Sequence, residues 1–161
     1  MTPPAVLSVA VQKEDFSIEE ALRRLRKAAP GAGAEVAFVG LVRDQAGSVA
    51  SLTLEHYPGM SERSMLVVCK RAAERWPLLA VEAIHRVGSL GPGDQIVLVL
   101  VSSAHRHAAF EGAQYIMDAF KSEVVFWKLE DRAGEKVWIE AAPSDHRALA
   151  AWEGASGEGA P

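Results

Sequence analysis

The sequence of 161 residues lacks the features that mark several large classes of protein. A single cysteine excludes an internal disulfide and a cysteine-rich metal site. No apolar run approaches the roughly 18–20 residues of a membrane-spanning helix, and the first ten residues do not have the charged and apolar regions of a secretion signal. The net charge of −4 argues against a general nucleic-acid-binding protein, which is usually basic. We therefore expect a cytoplasmic protein with neither membrane nor nucleic acid among its partners.

Several sequence signatures of catalysis are also missing. There is no glycine-rich phosphate loop of the Walker or dinucleotide type and no G-x-S-x-G nucleophile elbow. None of the five histidines forms the i, i+4 pair with a glutamate that is typical of a zinc helix, and His105-x-His107 alone is weak support for a metal. The lone Cys69 falls on the apolar face of a predicted helix, where we expect it to be buried. The sequence thus predicts no metal site, and its own thiol is a poor candidate for chemistry.

What is present is a succession of short strands and amphipathic helices. Their order is β-α-β-β-α-β-β-α-β-β-α, with hairpins in place of regular strand–helix alternation, which indicates an α+β fold with a mainly antiparallel sheet. We expect residues 1–152 to form one domain and the small, polar residues 153–161 to be a disordered tail. The predicted strands are residues 5–11, 34–42, 49–56, 81–87, 95–102, 124–129 and 136–141; the predicted helices follow a Ser17–Glu20 capping box, span 61–76 and 108–121, and run from a cap at Ser144 or Asp145 to about Trp152.

Two of these strands carry more specific predictions. Residues 34–42 are apolar on both faces, which favours a central strand, and Gly40 within them indicates close approach by another backbone or a ligand. Residues 49–56 alternate instead, with Ala50, Leu52 and Leu54 on one face, which is typical of a half-exposed antiparallel strand.

The most informative part of the chain runs from residue 98 to residue 129. It contains a strand, the polar segment SSAHRH at 102–107, a helix and a second strand. Unpaired backbone N–H groups and the positive end of the dipole make a helix start suitable for an anion. His105 and Arg106 precede the predicted helix, and Arg43 ends a strand that could lie nearby. Together they could form a phosphate clamp, or they could be ordinary surface residues.

Two lysines close this part of the chain. Lys121 ends the predicted helix, where the dipole stabilises a cation, and Lys128 shares one strand face with Val124 and Phe126. A lysine among apolar neighbours is partly desolvated, which lowers its pKa and suits it to act as nucleophile, base or acid. The alternatives are a plain helix-end charge and a lysine that extends its ammonium group from a strand end into water. The residues therefore predict a cationic pocket and leave its chemistry open.

Several short segments of residues 34–152, taken together and in their order along the chain, form a recognisable set. They are FVGLVR at 38–43, LTLEHYPGM at 52–60, IHRVG at 84–88, PGD at 92–94, SAHR at 103–106, AF at 109–110, Lys121, and FWK at 126–128. Each segment alone is weak, but the ordered set resembles the catalytic large subunit family of molybdopterin synthase.

The resemblance implies a fold, a reaction and partners. The fold is an α/β-hammerhead with an additional, mainly antiparallel β-lobe. The reaction places two sulfur atoms on cyclic pyranopterin monophosphate, which forms the molybdopterin dithiolene in molybdenum cofactor biosynthesis. The sulfur arrives as a thiocarboxylate at the Gly-Gly C-terminus of a small ubiquitin-like partner. Two large subunits form a central homodimer, each binds one small subunit to give a heterotetramer, and no cofactor is needed besides the substrate.

The family's functional residues fall on residues already singled out. The resemblance implies that Lys121 and Lys128 are catalytic, that Arg43, His105 and Arg106 bind the anionic substrate, and that Met117 lines the pocket. The sequence departs from the family pattern in three places: Val124-Val125 replaces a frequent proline, the loop at 43–49 is short, and Ala141-Ala142 stand where a basic residue is common. The alternative is a non-catalytic scaffold that binds an anionic ligand or a ubiquitin-like tail, in which both lysines are dispensable for turnover.

Overall fold

The computed structural model describes residues 3–43, 51–124, 126–132, 134–139 and 143–155. These residues form eight strands and four helices. The strands are β1 (Val6–Gln12), β2 (Ala34–Leu41), β3 (Ser51–Glu55), β4 (Leu78–Arg86), β5 (Gly88–Leu90), β6 (Gln95–Ser103), β7 (Trp127–Arg132) and β8 (Glu135–Ile139); the helices are α1 (Ile18–Ala28), α2 (Met60–Arg75), α3 (Arg106–Glu123) and α4 (Pro143–Ala155).

The strands form two sheets. The first has the order β1-β4-β6-β2, in which β1 and β4 are parallel and the other pairs are antiparallel. The second has the order β5-β3-β7-β8 and is antiparallel throughout. The predicted α+β class with an additional, mainly antiparallel β-lobe is therefore confirmed.

Helices cover both faces of the first sheet. Residues of β6 alternate, so that Val97, Val99 and Val101 pack towards α2 and α3, while Leu98 and Leu100 pack against α1. The predicted apolar stripe of α2 is confirmed, because Met65, Val68, Cys69 and Ala72 are fully buried within it. Burial raises the pKa of the Cys69 thiol to about 12, so this thiol is inert at neutral pH, as the sequence indicates.

The start of α1 also matches its prediction. The hydroxyl oxygen of Ser17 accepts a hydrogen bond from the Glu20 backbone N–H at 3.2 Å and satisfies one of the unpaired donors of the first turn. The helix ends at Ala28, shortly before Pro30.

The position of β2 corrects one prediction. The strand lies at the edge of the first sheet, paired only with β6 among the described strands, and not at its centre. Its apolar residues on the outer side remain exposed: Phe38 is 41% exposed and Leu41 is 52% exposed. Gly40 is closely approached, but by a side chain and not by the backbone or ligand that the sequence predicts: a Cβ on Gly40 would lie 2.6 Å from Cγ1 of Val97.

Other differences concern element boundaries. Residues 88–90, expected in a loop, form β5 against β3. The strand expected from residue 124 begins at Trp127, because α3 continues two residues beyond Lys121. Helix α4 begins at Pro143, so neither Ser144 nor Asp145 is its N-cap, and it runs to Ala155, beyond its expected end near Trp152. Ala50, Val125, Ala141, Ala142 and residues 156–161 lie outside the described residues. Across the described helices, none combines the length and apolarity needed to cross a membrane.

Candidate active site

A cavity of about 230 Å³ lies where the second sheet meets the end of α3 and the β2–β6 edge of the first sheet. Its wall is mostly apolar and includes Leu52 and Leu54 of β3. Among the described residues, the wall has four polar side chains, His85, Lys121, Ser122 and Lys128. The two lysines among them are cationic. A concave, largely apolar site with a few converging polar groups is the usual form of a ligand site.

Lys121 reaches this cavity from the last turns of α3. It lies one turn after Met117, on the same side of the helix, and both residues line the cavity. Met117 is 9% exposed and forms part of the floor, whereas Lys121 is exposed. The negative end of the helix dipole stabilises the ammonium group at this position. The residues of α3 that line the cavity all belong to its second half, from Met117 onward.

Lys128 reaches the same cavity from the start of β7. Its backbone is fixed on both sides, because it lies opposite Leu54 of β3 and Ile139 of β8. Val124, Phe126 and Lys128, predicted on one face of a strand, all line the cavity, but only Lys128 belongs to β7, because Val124 is the C-cap of α3 and Phe126 precedes the strand. The lowered pKa expected for Lys128 stays a prediction.

His85 is the functional candidate that the sequence analysis did not single out. It is 8% exposed, near the end of the central strand β4, and its ring stacks on Phe126 with centroids 3.9 Å apart and planes 17° apart. Burial lowers the pKa of the imidazole to about 4; the Arg86 carbonyl opposes this shift, and the charges of Lys128, Lys121 and His56 reinforce it. The ring is therefore neutral at neutral pH. The available indication was a histidine directly after the apolar residues Ala83 and Ile84 in a predicted strand.

A second polar group in the wall is Ser122. Its hydroxyl oxygen is buried and has no hydrogen-bond partner among the described residues. Buried polar atoms are normally satisfied, so an orphaned hydroxyl beside Lys121 is consistent with a ligand or water in the cavity.

Arg43 lies close to the cavity but does not line it. Leu41 is part of the wall, and Arg43 follows it by two residues and is exposed. The intervening Val42 is buried and held by two backbone hydrogen bonds of 2.9 Å, one to the Asp94 carbonyl and one from the Gly93 N–H. The start of the loop is thus fixed at Arg43, while residues 44–50 lie outside the described part of the chain.

His105 and Arg106 lie at the opposite end of α3. His105 is the N-cap, Arg106 is the first helical residue, and both are exposed. Arg106 precedes Lys121 by fifteen residues, so the helix separates them by about 22 Å. A single chain therefore unites Met117, Lys121 and Lys128 at one cavity but does not bring His105 and Arg106 to it. Their expected role in substrate binding stays a prediction.

A second groove adjoins the cavity along α3 and β2. It shares Phe38, Met117 and Lys121 with the cavity and continues past Phe110, near the start of the helix. Phe110 is 62% exposed and Phe38 is 41% exposed, so this side of the chain presents large apolar side chains to its surroundings. Such continuous apolar surfaces commonly mark interaction sites.

The geometry favours an anionic ligand over a metal. No group of three or more histidine, cysteine, aspartate or glutamate residues within the described ranges could hold a metal ion. Two ammonium groups face a cavity with apolar walls, and in such surroundings their attraction for an anion is stronger than in water.

Known proteins resemble this chain over most of its length. The family model described as MoaE protein matches residues 11–123. The molybdopterin synthase catalytic subunit of Vibrio cholerae is 51% identical over 147 residues, which cover 90% of this chain and 97% of that protein. The solved MoaE protein of Burkholderia ambifaria has a TM-score of 0.82 at 40% identity and covers 92% of this chain and 99% of its own. A Helicobacter pylori complex of subunits 1 and 2 of molybdopterin-converting factor has a TM-score of 0.66 at 20% identity, covers 83% of this chain and 90% of its own, and shows the fold alone.

The matched family region contains the cavity walls contributed by β2, β3, β4, β6 and α3, and the Vibrio cholerae protein matches 90% of the chain. The chain belongs to the MoaE family, the catalytic subunits of molybdopterin synthase in molybdenum cofactor biosynthesis.

Proposed function

We propose that the chain transfers sulfur from the C-terminal thiocarboxylate of a small ubiquitin-like partner to cyclic pyranopterin monophosphate, which forms the molybdopterin dithiolene. The observation that supports this proposal is the convergence of Lys121 and Lys128, from a helix and a strand, on one mostly apolar cavity. A thiocarboxylate and a cyclic phosphate are both anions, and such a site attracts both.

The size of the cavity suits the end of a polypeptide. At about 230 Å³ it is smaller than the roughly 300–1,000 Å³ that encloses a typical organic ligand. A tail that ends in two glycines has no side chains and is slender enough to enter, while the pterin would lie at the opening. In this arrangement the sulfur at the end of the tail would lie beside the lysines, and the pterin carbon that accepts it would lie at the opening of the cavity.

In this proposal Lys121 and Lys128 supply the chemistry without a cofactor. The thiocarboxylate sulfur forms a bond to a carbon of the pterin and displaces an oxygen substituent of that carbon, whose developing negative charge the lysines stabilise and an ammonium group can protonate. Water then cleaves the acyl–sulfur bond of the resulting thioester, so the sulfur stays on the pterin and the tail leaves as a carboxylate. Each tail carries one sulfur. Because a dithiolene contains two sulfurs, a spent partner must leave and a second one must bind.

A homodimer would bring His105 and Arg106 to the site. If two copies of α3 pack antiparallel across a two-fold axis, the start of one helix lies beside the end of the other. The groove along α3 and β2, with exposed Phe38 and Phe110, is the apolar surface that such a dimer would cover. With one small partner at each cavity, the assembly is a heterotetramer.

The central experiment is reconstitution. The chain is mixed with thiocarboxylated small subunit and cyclic pyranopterin monophosphate, and dithiolene is measured; small subunit with an ordinary carboxylate is the control. We expect product only with the thiocarboxylate. A scaffold without chemistry would instead bind the tail and yield no dithiolene, and it would lose binding when Arg43 or Arg106 is replaced but not when Lys121 or Lys128 is replaced.

Subunit complementation tests the dimer. We expect Arg106→Ala and Lys128→Ala chains to be weak alone, and their mixture, after dissociation and reassociation, to recover about a quarter of wild-type turnover. The reason is that half of the random dimers are mixed, and each mixed dimer has one site with both native residues. A mixture as weak as its components would show that Arg106 does not act across the dimer.

A further inference from the structure

His85 lies in the cavity wall but has no role in the step proposed above. Its backbone is fixed on both sides within the first sheet, opposite Val11 of β1 and Val97 of β6. Its ring is buried and stacked on Phe126, two residues before Lys128 in the chain. Few side chains in the described structure are held so firmly beside a catalytic candidate.

The hydrogen bond at Nδ1 fixes the tautomer of this ring. Nδ1 lies 2.8 Å from the Arg86 carbonyl oxygen, which can only accept a hydrogen bond. Nδ1 therefore carries the proton, and Nε2 of the neutral ring has an unshared electron pair. The end of β4 is held in turn by the Arg86 guanidinium, which donates to the carbonyls of Gln95 and Lys13 at 3.0–3.2 Å.

The surroundings of the ring favour a neutral acceptor. The cationic groups that act on His85 come from β7 (Lys128), from α3 (Lys121) and from the residue after β3 (His56), and Arg86 is its neighbour in β4. An added positive charge here would repel the two lysines, whereas a lone pair attracts an ammonium proton.

We infer that His85 is a positioning residue for Lys128: its fixed, neutral ring presents Nε2 as a hydrogen-bond acceptor that orients the Lys128 ammonium group towards the tail of the small partner. This inference rests on the proposed sulfur transfer. It assigns to the stacked pair of His85 and Phe126 the function of holding the lysine at the reacting centre.

Three substitutions separate the acceptor from the rest of the side chain. His85→Gln places a carbonyl oxygen near the position of Nε2 and retains an acceptor. His85→Asn can still donate to the Arg86 carbonyl but has no acceptor that reaches as far, and His85→Phe retains only the stacking. The matched control is His146→Phe, at an exposed position on α4.

The first measurement does not depend on activity. In chains labelled with ¹³C at lysine Cε, the Lys128 resonance is titrated, after assignment with Lys128→Arg. An acceptor stabilises the charged ammonium, so we expect its pKa to be about one unit lower in His85→Asn and His85→Phe, and nearly native in His85→Gln. Identical titration in all variants would overturn the proposal; if His85→Phe does not fold, the Asn and Gln variants decide.

The second measurement is turnover. We expect kcat to fall about 10–100-fold in His85→Asn and His85→Phe, with little change in KM for the thiocarboxylated partner, and to be largely restored in His85→Gln. Native turnover in all three variants would contradict the role of His85 while leaving sulfur transfer intact. If the wild-type chain itself makes no dithiolene, the proposed function fails, and the titration alone decides whether His85 orients Lys128.

Discussion

The chain places cations beside aromatic rings in two regions, and the regions differ in what else each cation meets. In the first, the aromatic cage, the Arg75 guanidinium lies 4.9, 5.8 and 5.4 Å from the rings of Trp76, Tyr115 and Trp152. It also donates a hydrogen bond of 3.0 Å to the Trp152 carbonyl. In the second, the cavity, Lys121 and Lys128 line the same space as Phe126 and His85.

The difference separates stabilisation from function. In the cage even the rings have partners, because the indole N–H of Trp76 donates to Glu111 and that of Trp152 donates to Asp118. Polar groups that are satisfied within the protein hold α2, α3 and α4 together. In the cavity, the Ser122 hydroxyl has no partner among the described residues, and two cations share one space. Two like charges close together lower the stability of the folded chain, and the same two charges can bind an anion.

The largest expected effect is loss of turnover on Lys128→Met. The substitution keeps the apolar length of the side chain in β7 but removes the charge and the proton, so we expect dithiolene formation to fall about 10²–10⁴-fold. The melting temperature should change little. Lys70→Met, at an exposed position on α2, is the control and should retain native turnover. Near-normal turnover of Lys128→Met would refute the catalytic role and favour the scaffold.

The cavity also shows which features of a site can be found from sequence. Strand alternation correctly grouped Val124, Phe126 and Lys128, which line one cavity, although the strand itself begins only at Trp127. The separation of Arg106 from Lys121 was equally accessible, since even the predicted helix of residues 108–121 is about 20 Å long. The predicted pocket nevertheless contained residues from both ends of the helix.

Other features depended on contacts distant in sequence. The apolar character of β2 did not reveal whether the strand is central or at an edge, because pairing is decided by which strands lie beside it. The stacking of His85 on Phe126 joins a residue of the first sheet to the residue that precedes β7, and neither local pattern contains it. The Ser17 cap and the α2 stripe, by contrast, were predicted correctly because their partners lie within one or two turns.

A smaller effect is expected on stability at acidic pH, again in the cavity. Burial lowers the pKa of His85 to about 4 in the folded chain, against 6.5 in the ordinary side chain, so the unfolded chain takes up the proton first. The stability is therefore complete above about pH 6.5 and decreases as the pH falls towards 4. We expect His85 to account for roughly 2 kcal/mol of the loss between pH 7 and pH 5.

Urea unfolding at the two pH values measures this contribution. In His85→Gln the loss between pH 7 and pH 5 should be smaller by that amount, because glutamine does not titrate. Equal losses in wild type and variant would show that the ring is not held neutral by burial. The cage has no histidine and should not contribute to this difference.

The cage should respond in the opposite way to the cavity. Arg75→Met removes the cation from three rings and the hydrogen bond to the Trp152 carbonyl, and we expect a loss of about 1–2 kcal/mol in the free energy of unfolding. For a chain of this size that corresponds to a decrease of roughly 2–8 °C in the melting temperature. Turnover at 25 °C should be native. If Arg75→Met lost turnover but not stability, the cage would have a functional role, and the distinction between a stabilising cage and a functional cavity would be wrong.

The smallest effect, close to none, is expected at Cys69. The thiol is buried in α2, and with its pKa raised to about 12 it carries almost no thiolate at neutral pH. If the sulfur of the product comes from the partner's thiocarboxylate, Cys69→Ala should transfer sulfur at the native rate, with a stability loss of about 1 kcal/mol from the removed sulfur atom. Iodoacetamide should label the wild-type thiol only after unfolding. Loss of dithiolene formation by a well-folded Cys69→Ala chain would instead make this thiol a carrier, and neither region compared here would then contain the complete chemistry.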